Sequence, residues 1–400
     1  MTKYFLSALF LMLASTAKAD SPQTPTTSQE SSSFQPLIYE GDKGFGKGKE
    51  IVLIANDHEY RSEQTCPELG KMLAKHFGFR CTVIFGLDDN GEIKAGAGDM
   101  PGMEALKTAD MLFFFTRFMN LPDQQVDLLA DYFERGGPVV GVRTSTHCFN
   151  GQRGKWSKLN YNYGGADYPG GLGKQVFGNT WEKENGQSHY GQNHVMGSRI
   201  TAVGSALDHP TLRGVGPIHA YSGAYKSQPP ADATPLLEVQ VLDTFHPSDQ
   251  LRTELPVVNA GWSRDEYVAP SGETKQARVV YTSFGASEDL LDENARRFLV
   301  NACLWAGGWE DQITADLDVS LVGEYRPSPY TNTTFSYAGV KPADLSGFDS
   351  QIMPDDATLI GVDDAKSAKK RASVLANRPE FRKFLELKYP KIYGTDVLKK

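Results

Sequence analysis

Residues 51–55, Ile-Val-Leu-Ile-Ala, constrain the fold more than any other segment of the chain. Five consecutive apolar residues without alternation predict a β-strand buried on both faces, which is typical of parallel sheets covered by helices. A helical pattern follows, for which Pro67 suits the first turn and Gly78 the end. A strand followed by a helix is the repeating unit of an α/β fold.

The same alternation continues along the chain. Apolar runs predict strands at residues 81–85, 110–115, 138–142, 236–241, 256–260 and 278–283, and helical patterns cover residues 122–135 and 293–306. We therefore predict an α/β fold with a doubly wound, mostly parallel sheet. Residues 150–230 are rich in Gly, Tyr, Asn and Pro. They predict a long loop-rich insertion over one edge of the sheet.

Residues 1–19 have the parts of a secretory signal peptide. Lys3 supplies a positive charge, an apolar run follows, and residues 17–19 (Ala-Lys-Ala) fit the small-x-small cleavage pattern. The run is shorter than the roughly 20 apolar residues that span a bilayer. We therefore expect a periplasmic or secreted protein that is not inserted in the membrane.

Composition divides the rest of the chain. Residues 20–48, rich in Ser, Thr, Gln, Pro and Gly, predict a flexible linker. Residues 49–310 form the main α/β domain. Residues 311–400 form a C-terminal extension, with short amphipathic helices predicted at 364–375 and 378–388. We expect the extension to pack on the main domain.

The chain is acidic, which argues against nucleic acid as a partner. Its 41 Lys and Arg against 49 Asp and Glu give a net charge of −8. Loss of Lys3 and Lys18 with the leader makes this 39 − 49 = −10. Phosphate-backbone binding needs clustered positive charge, and anionic membrane surfaces repel such a chain. The cysteines, Cys66, Cys81, Cys148 and Cys303, contain no CxxC pair, and we favour free, buried thiols over disulfides.

Polar clusters follow four of the predicted strands. They are residues 56–61 (Asn-Asp-His-Glu-Tyr-Arg), 116–118 (Thr-Arg-Phe), 143–147 (Arg-Thr-Ser-Thr-His) and 283–289 (Ser-Phe-Gly-Ala-Ser-Glu-Asp). Ligands of doubly wound sheets bind outside the carboxyl ends of the strands, so these clusters predict the site. General acid–base chemistry suits the residue types best. The candidate catalytic residues are Asp57, His58, Glu59, His147 and Glu288.

Substrate-binding candidates come from the same clusters and from the insertion. They are Arg61, Arg117, Arg143, Trp181, Tyr190, His189, His194 and Ser283. For Arg117 and Arg143, a buried salt bridge to Asp57 or Glu59 is an equally good interpretation. The insertion aromatics are Trp156, Tyr161, Tyr163, Tyr168, Trp181 and Tyr190. They suit either stacking on sugar rings or packing against the sheet.

Motifs for cofactors are absent from the sequence. It has no GxxxxGK[ST] loop and no GxGxxG after the first strand, so nucleotide cofactors lack support. A divalent metal such as zinc is an alternative that the spacing does not demand, with His58, His147, His189 and His194 as candidate ligands. The elbow position after the fourth strand holds Arg143, which cannot be a nucleophile. Ser145 and Cys148 lie beyond it, and a Cys–His pair has little support.

Several segments together resemble the ThuA-like (trehalose-utilization) family of the class I glutamine amidotransferase-like superfamily. They are residues 51–61, 113–117, 136–147, 208–210 with Gly214, 278–285 and 296–305. The resemblance covers residues 49–310 and looks closest to exported members labelled as secreted glycosyl hydrolases. It implies a flavodoxin-like three-layer sandwich. The Cys-His-Glu triad of amidotransferases is not carried over, because Arg143 holds the elbow position.

The resemblance implies a small-molecule carbohydrate as partner. Its trehalose-utilization members are linked to disaccharide breakdown through 3-keto sugars, whose proton next to the ketone a modest base can remove. Glycoside cleavage would need two opposed carboxylates, for which Asp57 or Glu59 could act with Glu288. We predict an exported carbohydrate-processing isomerase, lyase or glycoside-cleaving enzyme. The alternatives are a non-catalytic periplasmic sugar-binding protein and a metal-dependent hydrolase.

Overall fold

A computed structural model gives the structure of the protein. It describes residues 35–182, 186–191, 196–243, 249–328, 330, 336–352 and 358–360, the residues 336–338 and 358–360 by their backbone alone. All of them belong to one compact unit, residues 34–400. The predicted signal peptide, His194 and the two predicted C-terminal helices lie outside the described residues. In the described part of the chain, no helix is long and apolar enough to cross a membrane.

A large mixed sheet forms the centre of the fold. The strands are β1 Leu37–Glu40, β2 Glu50–Asn56, β3 Arg80–Phe85, β4 Met111–Thr116, β5 Val139–Val142, β6 Ser188–His189, β7 Ser198–Ala202, β8 Ile218–Ala220, β9 Tyr225–Lys226, β10 Thr234–Val241, β11 Val258–Val268, β12 Thr274–Thr282, β13 Ser336–Ala338 and β14 Thr358–Ile360. The helices are α1 Ser62–Phe77, α2 Asp123–Glu134, α3 Gly171–Phe177 and α4 Glu293–Ala306. The ten strands of the main sheet lie in the order β1-β3-β2-β4-β5-β12-β11-β10-β7-β8.

The centre of this sheet is parallel, and the predicted α/β class is confirmed. Strands β3, β2, β4, β5 and β12 run parallel, while β1 at one edge and β11, β10, β7 and β8 at the other add antiparallel pairs. Numbered along the chain, the five parallel strands lie in the order 2-1-3-4-5, a common doubly wound order. Its switch point lies between β2 and β4.

The apolar run of β2 is explained by helices on both faces of the sheet. Ile51 and Leu53 belong to the core that α1 and α4 cover, whereas Val52 and Ile54 belong to the core that α2 and α3 cover. Successive side chains of a strand point to opposite faces, so a strand between two cores has no polar position.

Three expectations differ from the structure. The prediction that Pro67 lies in the first turn of its helix is wrong, because α1 begins at Ser62 with buried polar residues. Residues 37–40, within the predicted linker, form β1 with alternating buried and exposed side chains. The segment 150–230, predicted as a loop-rich insertion over one edge of the sheet, also supplies strands of the sheet itself. Its strands β7 and β8 extend the sheet beyond β10.

The described part of the C-terminal extension packs on the main domain through a polar face of α1. Gln64 Oε1 accepts the Ser328 N–H at 2.7 Å. Glu68 Oε1 accepts the Val322 N–H at 2.8 Å. Apolar side chains of the extension, among them Leu345, enter the core shared with α1 and α4. Burial raises the pKa of Glu68 to about 7.

Candidate functional site

Three strained backbone positions follow three parallel strands. Arg61 (φ 65°), Phe118 (φ 50°) and Arg143 (φ 47°) are the non-glycine residues with positive φ in the described part of the chain. They come after β2, β4 and β5. Such conformations cost about 1–3 kcal/mol each and cluster at functional sites. The switch point between β2 and β4 lies at the same carboxyl edge, where ligands of doubly wound sheets bind.

Asp57 organises the turn after β2. One carboxylate oxygen accepts the N–H groups of Glu59, at 2.9 Å, and Tyr60. The other accepts the Thr144 hydroxyl at 2.7 Å, from the turn after β5. The Ser62 hydroxyl closes the turn by bonding the backbone N and O of Asp57. Both carboxylate oxygens of this fully buried residue are therefore occupied by structural contacts.

Arg117 connects His58 and Glu59. Its Nη1 lies 2.6 Å from His58 Nε2, and its Nη2 lies 3.1 Å from Glu59 Oε1. Because a guanidinium only donates, His58 Nε2 accepts, and the ring proton is on Nδ1. Burial lowers the pKa of His58, Arg117 and Arg61 lower it further, and only Asp57 opposes them. The structure therefore holds His58 as a neutral imidazole.

Arg143 is buried between two aromatic rings. Its guanidinium carbon lies 3.6 Å from the ring centre of Tyr60 and 4.8 Å from that of Tyr225. Its Nη1 donates to the carbonyls of Gly223 at 2.8 Å and Ser283 at 3.0 Å. Ser283 thus contributes its backbone oxygen to this side chain.

The predicted salt bridge of Arg117 is formed with Glu59, whereas the carboxylate partner of Arg143 is Asp289 and not Asp57 or Glu59. The carboxylate nearest to Arg143 is Asp289, whose Oδ2 lies 4.0 Å from Nη1. Asp289 also accepts N–H groups of Gly285 and Ala286, and burial raises its pKa to about 6. The turn after β12 brings the Asp289 carboxylate close to Arg143. No sequence pattern indicated the pairing of these two residues.

The two remaining acidic and basic candidates have structural partners. Glu288 is fully buried, and its Oε2 accepts the Ser222 hydroxyl at 2.6 Å. Arg61 forms an ion pair with Glu63 at 2.5 Å, in which both side chains are buried. Neither contact involves His147.

His147 lies among aromatic rings and positive charges. Its ring centre is 4.9 Å from that of Trp181 and 5.3 Å from that of Phe118, and its Nδ1 is 3.1 Å from the Thr146 hydroxyl. Burial lowers the pKa of His147 well below its usual value. The guanidinium charges of Arg117 and Arg143 lower it further. A neutral imidazole is therefore held at the centre of the candidate residues.

The insertion aromatics fall into two groups, those that contact His147 and those engaged elsewhere. Tyr161 and Trp181 contact His147, and His189 contacts Trp181 with ring centres 4.9 Å apart. Tyr190 is buried elsewhere, with its hydroxyl bonded to the Pro256 carbonyl. The other three aromatics form hydrogen bonds within the fold. Trp156 Nε1 donates to Asp127, the Tyr163 hydroxyl donates to Asp167, and the Tyr168 hydroxyl donates to the Val268 carbonyl.

The two candidate nucleophiles, Cys148 and Ser145, are buried or hydrogen-bonded. Burial raises the pKa of the Cys148 thiol to about 12, and the Ser145 hydroxyl donates to backbone carbonyls. All four cysteines are buried and free, as predicted. In the described ranges, no group of three or more His, Cys, Asp and Glu side chains is arranged to hold a metal ion.

Sequence reasoning missed three tyrosines. Tyr60 lay inside a recognised polar cluster and was not singled out, whereas Tyr225 carried no signal. Tyr330, from the C-terminal extension, packs on Tyr60 with ring centres 4.9 Å apart. Tyr60, Tyr225 and Tyr330 therefore extend the aromatic surroundings of the site from Trp181 towards the extension.

Gly173 sets the position of the turn that carries His147, and its replacement by alanine should destabilise the protein by about 1–3 kcal/mol. A Cβ there would stand 1.9 Å from the Thr146 carbonyl oxygen. Within a helix the same change normally stabilises, so the expected sign is reversed. Urea unfolding measures it. Gly164→Ala is the control, because its Cβ would meet nothing within 4 Å. Equal stability of the two variants would contradict the close approach.

Comparisons with known proteins give weak similarities. No family model matches the sequence, and no curated protein matches it. A solved structure of a protein described as ThuA-like, from Bacteroides uniformis ATCC 8492, is 14% identical with a TM-score of 0.40, over 67% of this chain and 95% of that chain. Another, from Parabacteroides merdae ATCC 43184, is 13% identical with a TM-score of 0.38, over 72% and 99%. Neither similarity carries a functional assignment.

Proposed function

We propose that the protein is an exported, ThuA-like enzyme of carbohydrate catabolism that removes the proton next to the ketone of an oxidised sugar, as an isomerase or lyase. The observation that carries the proposal is the neutral imidazole of His147, packed on Trp181 and surrounded by cationic side chains. A neutral imidazole is a suitable base for such a proton. Arginine donors can stabilise the enolate oxygen, and an aromatic ring can stack on the sugar.

The carboxylates favour this chemistry over glycoside cleavage. A glycosidase needs one carboxylic acid and one opposed carboxylate that reach the substrate. Here both oxygens of Asp57 accept structural hydrogen bonds, Glu59 pairs with Arg117, and Glu288 is fully buried. The same engagement of the carboxylates leaves few free groups for chemistry, and this favours, as a second candidate, a sugar-binding protein without turnover.

The experiment is incubation of the purified protein with disaccharides and their 3-keto forms in D2O, followed by NMR. Deuterium beside the ketone supports the proposal. A freed monosaccharide would instead direct attention to the carboxylates, and binding without exchange would favour the sugar-binding protein. Stoichiometric zinc in the purified protein would favour the metal-dependent hydrolase.

Two tryptophans of the insertion form a matched pair for locating the sugar. Trp181→Ala should weaken sugar affinity about tenfold, because stacking and buried aromatic area are lost. Trp156→Ala should leave affinity unchanged, because that indole is bonded to Asp127 and packs on the core that α2 and α3 cover. Titration calorimetry measures both. Equal losses would place the sugar outside the aromatic cluster.

The pH dependence of exchange should reflect the depressed pKa of His147. Its base form is neutral, so activity should fall only well below pH 6.5, the ordinary value for imidazole. Arg117→Gln removes a positive charge that lowers this pKa, so the acidic limb should move to higher pH. Initial exchange rates between about pH 4 and 8 measure the limb. A limb at pH 6.5 in the unsubstituted protein would contradict the burial of the base.

A further inference from the structure

We propose that the site takes a sugar acid, whose carboxylate is received by the guanidinium groups of Arg143 and Arg117. The inference rests on the proposed function, which supplies the sugar ring. It adds the charge of the substrate, a property that neither the fold nor the position of His147 specifies.

The buried polar atoms without partners at this edge are mainly donors. Within the described ranges, they include Nε and Nη2 of Arg143, Nε of Arg117 and Nδ1 of His58. The guanidinium nitrogens can only donate, and His58 Nδ1 carries the ring proton because Nε2 accepts from Arg117. The hydroxyls of Ser283 and Thr116 belong to the same group. Leaving buried donors unpaired is costly, so a ligand that accepts from them gains affinity.

The acceptors at the same edge are largely satisfied. Asp57 and Asp289 accept from backbone N–H groups, and Glu288 accepts from a hydroxyl. The exception is Glu63 Oε2, in a carboxyl whose other oxygen is held by Arg61 and whose pKa is raised by burial. A neutral sugar hydroxyl brings a donor with every acceptor, whereas a carboxylate brings acceptors alone. The excess of donors therefore matches a carboxylate better.

One edge of the Arg143 guanidinium, formed by Nε and Nη2, has no hydrogen-bond partner among the described residues and can bind such a ligand. The carbonyls of Gly223 and Ser283 use Nη1, so the unpartnered atoms are Nε and Nη2. Two parallel N–H groups on one edge of a guanidinium fit the two oxygens of a carboxylate. The rings of Tyr60 and Tyr225 hold the plane of the group, which reduces the entropy lost on binding. Asp289, the nearest internal carboxylate, stays 4.0 Å away.

The test compares three ligands of one ring by titration calorimetry: glucuronate, its methyl ester and glucose. Glucuronate should bind at least about tenfold more tightly than the ester, the usual gain from a charge-assisted hydrogen bond. Arg143→Lys keeps the charge but lacks the paired donors, and should lower the ratio. Arg117→Gln, at a less buried position, should reduce the ratio and tests the idea if the Arg143→Lys variant does not fold. Arg80→Gln, at an exposed ion pair with Glu40, is the control.

Each outcome decides the inference. Equal binding of glucuronate and its ester would overturn it, and deuterium exchange into a keto-sugar would then still support the proposed function. Tighter binding of glucose 6-phosphate than of glucuronate would overturn it in favour of phosphorylated sugars. Absence of binding by all of these sugars would overturn both the inference and the sugar site on which it rests.

Discussion

Replacing His147 with glutamine should lower the rate of deuterium incorporation into a keto-sugar by about 10²–10⁴-fold, the usual contribution of a general base. The imidazole is the buried neutral base nearest to Trp181, and glutamine keeps a polar group of similar length without a comparable basicity. Because the stacking contacts remain, the sugar should still bind with nearly unchanged affinity. NMR measures the rate and titration calorimetry the affinity.

His209→Gln is the matched control for this substitution. Burial lowers the pKa of His209 as well, and its ring packs on Trp305 with ring centres 4.9 Å apart. It therefore resembles His147 in chemistry but belongs to none of the strained turns of the site. Full exchange activity in the His147 variant would remove that residue as the base, whereas loss in both variants would indicate a general effect on folding.

Replacing Arg143 with alanine should destabilise the protein by about 3–5 kcal/mol, as expected when one partner of a buried ion pair is removed. The change leaves Asp289 buried without its cation and takes the donor from the carbonyls of Gly223 and Ser283. It also opens a gap between the rings of Tyr60 and Tyr225. Urea unfolding, followed by circular dichroism, gives the free energy of unfolding.

The loss should grow with pH. The pKa of Asp289 is about 6 in the folded protein against 3.8 ordinarily, so its ionisation already lowers stability as the pH rises through that interval. Removing Arg143 raises the folded pKa further, and the destabilisation should be larger at about pH 8 than at about pH 5. Arg80→Ala is the control, since its ion pair with Glu40 is exposed and such pairs contribute less than about 1 kcal/mol. Equal losses in the two variants would contradict the role of the buried pair.

Local patterns were enough to predict the parallel centre of the sheet. The run in β2 lies between two cores, so every position is apolar and the pattern is unmistakable. The start of α1 was harder to predict from the sequence, because residues 62–65 are polar and are nevertheless buried beneath the turn after β12 and the extension. Thr65 bonds the Gly285 carbonyl, and Gln64 bonds Ser328. Burial of this kind is decided by distant segments and leaves no local periodicity.

The grouping of the candidate residues at one edge of the sheet was predictable, but their contacts were not. The rule for doubly wound sheets located Asp57, His58, Arg143 and His147 at one edge. It could not show that both oxygens of Asp57 are bonded within the turns, since that depends on Thr144. Nor could it show that two tyrosines enclose Arg143, because three segments far apart in the chain must meet first. The aromatics of the insertion were left between two interpretations, and the structure shows packing contacts for Trp156, Tyr168 and Tyr190.

The contact between the ends of the described chain limits when the native state can be completed. The Tyr39 hydroxyl donates to the Leu345 carbonyl at 2.8 Å, across 306 positions of sequence. This contact therefore cannot form before residue 345 has left the ribosome. Contacts of such long separation also slow folding, because closing the loop costs entropy before any contact repays it. A nascent chain therefore leaves the Tyr39 hydroxyl without this acceptor until residue 345 has been made, although β1 can pair with β3 much earlier.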